Sequence, residues 1–218
     1  MNTKKGFTRQ NFSKKNLVGF TLLELLIVIG ILAILSTTVI LVINPAQLLK
    51  KARDSQRISD LNTLKTAIAY YITEAANPDI GLVYTAKTYS DVMNVKCNAS
   101  TAAATSTAVT TDGLGWIPID FDTELSGGSP IGGLPTDPNK TAAIDADPGR
   151  YYVYIVGSIT DYTFKLVANL ESAHYSSGGP GDVESVDGGV NSVLYEVGTD
   201  MTIAFATSAT TCFKGGGE

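Results

Sequence analysis

From Phe20 to Ile43 the chain runs for 24 residues in which Glu24 is the only charged side chain. A helix of that length is about 36 Å long against a hydrocarbon core of about 30 Å, so the run predicts a membrane-spanning helix. A secretory signal peptide fits less well, because its apolar stretch is shorter and ends at a small-x-small cleavage site. This run ends instead in "VINPAQ". Beyond it the pattern changes. Ile58, Leu61, Leu64, Ile68 and Tyr71 recur every three or four positions and form a single apolar stripe on a helix. Asn44, Pro45 and Gln47 mark its start, with Asn as cap, Pro in the first turn and Gln three residues after the cap. Pro45 has no N–H to offer the carbonyl of Leu41, so a kink or short break is expected there. Pro78 and Gly81 in "NPDIG" close the segment. The reading is one interrupted helix, apolar all round over 20–43 and amphipathic over 44–76.

The remainder, 77–218, reads as a loop-rich head. The Ala-, Thr- and Ser-rich stretch 97–113 predicts a surface loop, and "GGSPIGGLPTDPNKTAAIDADPGR" is turn chemistry throughout. "YYVYIVG" and "DYTFKLVANL" are β-branched and aromatic runs joined by "SIT", which predicts a hairpin. After a Gly-rich loop, "SVLYEV" and "TIAFAT" predict two more short strands. The fold class is therefore α+β: a long N-terminal helix whose second half packs its stripe on a small antiparallel sheet. No period of 20–50 residues repeats, which excludes a solenoid.

Charge sharpens this picture. The first 19 residues hold Lys4, Lys5, Arg9, Lys14 and Lys15 and no acid, a basic leader without helical or strand periodicity. Of 16 basic residues that leaves 11 against 21 acidic ones in the rest, a net −10. So acidic a body argues against nucleic acid as its main partner. Lys50, Lys51, Arg53 and Arg57 follow the span, yet the leader outweighs them and places the N-terminus in the cytoplasm, with the head outside. Cys97 and Cys212 suit one disulfide in an oxidising compartment, or two separate buried thiols. A bridge would close a loop of about 115 residues, worth roughly 4–5 kcal/mol in the chain-entropy account.

The stretch "KKNLVGFTLLELLIVIGILAIL" resembles the processing site and N-terminal helix of type IV prepilins and the related type II secretion pseudopilins. The resemblance is close over residues 14–35 and only architectural beyond. It implies a pilin-like fold and cleavage between Gly19 and Phe20 by a membrane peptidase. It also implies N-methylation of Phe20 and a role for Glu24 as the acid at the fifth mature position. "GFT" occurs again at 6–8, but Arg9 and Gln10 follow it, so it opens no membrane helix. A carboxylate in hydrocarbon costs about 2.5–3.5 kcal/mol and usually marks an interior partner. The new amino group on Phe20 would supply one, within the same helix or from a neighbouring subunit, where a single polar pair also fixes register.

Weaker signals remain. Asp182, Glu184 and Asp187 in the Gly-rich loop are hard oxygen ligands of the kind calcium takes, though not at EF-hand spacing. Some secretion-type relatives bind calcium near the end of the sheet. Asn98 and Asn139 open N-x-[ST] triplets, His174 is the single histidine, and Trp116 reads as a packing residue. With no G-x-S-x-G, HExxH, P-loop or dinucleotide turn, no enzyme activity and no cofactor are expected. The resemblance implies a structural subunit of an extracellular filament serving adhesion, motility or uptake. Its partners would be the prepilin peptidase, the inner-membrane assembly platform and other copies of the subunit. The alternatives are a secretion pseudopilin and a singly anchored surface domain that binds a ligand.

Overall fold

A computed structural model describes residues 19–83, 89–90, 106–140 and 149–203. The chain divides into two units, Met1–Asn44 and Pro45–Glu218.

The first unit is built on helix α1, Leu22–Ile43. Thr21 caps it from an extended conformation, its Oγ1 accepting the Glu24 N–H at 3.2 Å. Ser36, Thr37 and Thr38 interrupt the apolar sequence, but each hydroxyl donates to a carbonyl of the preceding turn, at 2.7–2.8 Å. The backbone thereby satisfies polar groups that hydrocarbon would not. Among the described residues one helix, Leu22–Ile40 within α1, is long and apolar enough to cross a membrane. It ends at Asn44, which takes a left-handed φ of 45°, a conformation Asn tolerates better than most residues. The sequence made Asn44 the cap of the following segment; the backbone makes it the C-cap of α1.

The second unit opens with α2, Pro45–Glu74, so the break anticipated at Pro45 falls one residue ahead of it, at Asn44. Pro45 occupies the first helical position, where its missing N–H costs nothing. The stripe turns inward as its spacing requires: Leu61, Leu64, Ile68 and Tyr71 are buried and Ile58 packs at the edge. Against it lies a four-stranded sheet of β1 (Tyr89–Ser90), β2 (Val153–Ser158), β3 (Thr163–Ala168) and β4 (Tyr195–Gly198), antiparallel and in sequence order. The fold is α+β. Val153 pairs with Val167 across the β2–β3 hairpin and Leu166 with Val197 across β3–β4. This alternation sends Tyr154, Val156, Phe164, Leu166, Tyr195 and Val197 into the core that α2 closes. The opposite sheet face carries Val153, Ile155, Lys165, Val167 and Glu196, also buried.

Two sequence expectations change. The strand expected at "TIAFAT" does not start where predicted. The Asp200 carboxylate takes the Thr202 N–H at 2.9 Å and its hydroxyl at 2.6 Å, holding a turn there; residues 204–207 lie outside the described residues. The short strand β1 was not anticipated. Gly81 turns the chain towards it with a φ of +93°, and a Cβ there would press on Pro118 and on Tyr89 Oη. Trp116 is buried, as a packing residue should be, and its Nε1 donates to the Pro135 carbonyl at 3.1 Å.

Candidate functional site

The residues singled out for processing and assembly sit together at the start of α1. Gly19 and Phe20 precede the helix without regular structure, Phe20 is 82% exposed, and among the described residues no atom beyond the chain neighbours stands within 4 Å of where a Gly19 Cβ would lie. Glu24 is the third helical residue. With Thr21 it forms the T-x-x-E arrangement of a capping box, and its charge stands at the positive end of the helix dipole. Among the described residues no cation meets its carboxylate. Every large apolar side chain described on α1 is exposed in the single chain, from Leu22 at 81% to Ile43 at 56%. A helix so apolar on all sides, with one acid in its first turn, needs lipid, other helices, or both around it.

On the second unit, α2 leaves an uncharged face outward. Ser59, Asn62, Thr63, Thr66 and Tyr70, with Pro130 and Ile131 opposite, line an open groove of about 610 Å³.

The three carboxylates considered for calcium do not converge. Asp182 accepts the backbone N–H groups of Gly178 and Ser185 and the Ser185 hydroxyl. Glu184 turns inward and accepts the Ser177 N–H at 3.0 Å; burial pushes its carboxyl up to about 7, against the pull of that bond. Asp187 holds the Gly189 and Glu196 N–H groups. Among the described residues no group of three His, Cys, Asp or Glu side chains is placed to hold a metal ion. His174 stacks edge-on against Tyr175. Asn139 sits in a turn, its N–H donated to Asp137. Cys97, Cys212 and Asn98 lie outside the described residues.

What sequence reasoning missed is a buried ionic cluster centred on Arg57. Its guanidinium makes a two-pronged contact with Asp137 at 2.7 and 2.8 Å, and reaches Asp54 at 2.8 Å and Glu171 at 2.6 Å. Arg53 forks onto Glu171 at 2.9 and 2.6 Å, and Arg150 approaches the same carboxylate at 3.6 Å. Asp54 also accepts the N–H groups of Glu171 and Ser172. Three cations balance three anions, so the desolvated charges are mutually compensated. Burial raises the Glu171 carboxyl, but the hydrogen bonds from Arg53 and Arg57 outweigh it and hold the group at about 2. One signal was present: Arg57 stands four residues before Leu61, on the inward side of the helix.

Neither a protein-family model, nor a curated protein, nor a solved structure matches this chain.

Proposed function

We propose that this chain is a structural subunit of an extracellular filament of the type IV pilus class. It is inserted as a precursor, cut after Gly19, methylated on Phe20 and assembled through residues 20–76. The observation that carries this reading is the start of α1: an exposed Gly-Phe junction, then a helix apolar on every side with Glu24 in its first turn. Cutting there puts a positive amino group within about one helical turn of that acid. In an isolated anchor the carboxylate would be a cost with no return; in a bundle of such helices it selects the register. The uncharged outward face of α2 supports the same reading, since it offers a neighbouring helix no desolvated charge to oppose.

The test is mass spectrometry of the N-terminus in the producing cell, joined to assembly of Glu24→Gln. Expected are N-methyl-phenylalanine at residue 20 and loss of filaments in the variant while the subunit still accumulates in the membrane. An intact leader would instead favour a plain anchored surface domain. A cut chain that supports secretion of another protein, with no surface filament, would favour the pseudopilin.

A further inference from the structure

On the sheet face turned away from α2, Lys165 of β3 and Glu196 of β4 meet with no solvent exposure on either side chain. Lys165 pairs with Gly198 and Glu196 with Val167, so the two are diagonal neighbours on one face, within reach of a lysine side chain. Nζ stands 3.0 Å from Glu196 Oε1 and also donates to the Met201 carbonyl at 3.3 Å. The second carboxylate oxygen, Oε2, accepts the Asn191 N–H at 3.2 Å. Asp187 completes the cluster, its Oδ2 accepting the Glu196 N–H at 2.6 Å. The loop closes over this point only because residue 189 is glycine: a Cβ there would overlap Glu196 Oε2.

From this geometry we propose that Lys165 and Glu196 condense to an intramolecular amide that ties β4, a four-residue strand at the end of the sheet, to β3. Nζ and the Glu196 carboxyl group are the amine and acyl partners of such a condensation, held in contact away from solvent. One proton passes from Nζ to Oε1 along their 3.0 Å contact. The amine lone pair then attacks Glu196 Cδ, and negative charge collects on Oε2, against the Asn191 N–H that already faces it. A second Nζ proton then moves to Oε1 along the same contact. The C–Oε1 bond breaks, the N–C bond remains, and one water leaves. No proton is gained or lost overall and nothing is oxidised. A recess of about 300 Å³ lined by Asp187, Glu196 and Met201 gives the water an exit. Holding the reacting groups in contact replaces the encounter that makes such condensations slow in solution.

The readout is a tryptic digest of the purified full chain, independent of how the N-terminus is processed. No Lys or Arg lies between Lys165 and Lys214, so an unlinked chain yields Tyr151–Lys165 and Leu166–Lys214 as separate peptides. The linked chain resists cutting at Lys165 and yields one peptide, 151–214, lighter than its sequence by one water. Lys165→Ala or Glu196→Ala should restore the full mass. Tryptic cutting at Lys165 once the purified wild-type chain has been unfolded, with both peptides at their sequence masses, overturns the proposal and leaves a buried ion pair.

Discussion

Glu184 shows how one buried carboxyl sets a pH dependence. It is 3% exposed and accepts the Ser177 N–H, while the carboxylates of Asp54 and Asp182 stand near. Its carboxyl is therefore displaced upward to about 7, chiefly by burial. A group held more tightly protonated in the fold than in the unfolded chain contributes stability below the unfolded value, near 4.5. That contribution is lost as the pH rises through 7. Glu184→Gln removes the ionisation and should make the chain more stable than wild type at pH 8, by roughly 2–3 kcal/mol, with little difference at pH 4.5. Denaturant titrations at the two pH values check it. Glu171 acts in the opposite sense: held at about 2, it adds stability above the usual carboxylate range that fades only as strong acid is approached.

At the scale of elements, α2 is fixed to the head twice, by its apolar stripe and by Arg57. Arg57→Ala would remove the cation that Asp137 and Asp54 share in the interior, a change that typically costs about 3–5 kcal/mol. The expected result is a fall in the melting midpoint of the full chain in detergent, whereas Arg57→Lys should fall between the two. Both helices and the β2–β3 hairpin were legible because periodicity and β-branched runs are local properties of the sequence. β1 was not: two residues carry no period, and Tyr89–Ser90 is a strand only because Tyr154 and Val153 lie opposite. The ionic cluster was illegible for a related reason. Its members come from 53–57, 137, 150 and 171, and nothing local says that Asp137, inside a run of turn residues, faces a helix 80 positions earlier. Arg57 alone carried a hint, being a cation on an otherwise apolar stripe. The start of α1 lay at the opposite extreme, since its Gly, Phe, Thr and Glu are contiguous.

For the whole molecule, the two units divide the physical work. Among the described residues the buried apolar core begins at Leu61 and includes none from α1. A chain starting at Pro45 should therefore fold as a soluble monomer with a cooperative thermal transition, whereas the full chain requires detergent. Size exclusion and circular dichroism without detergent decide this; an aggregated or unfolded product would mean that the head depends on the segment before it.

The Arg57 cluster also constrains how the chain can change over generations. Arg57 is the cation that Asp137, Asp54 and Glu171 share, so replacing it alone upsets the charge balance of the buried cluster. Substitution must therefore proceed in matched sets. In descendants of this chain, an uncharged residue at 57 should arrive with one at 137, and the two positions should carry a joint pattern of variation that their distant places in the chain would never suggest.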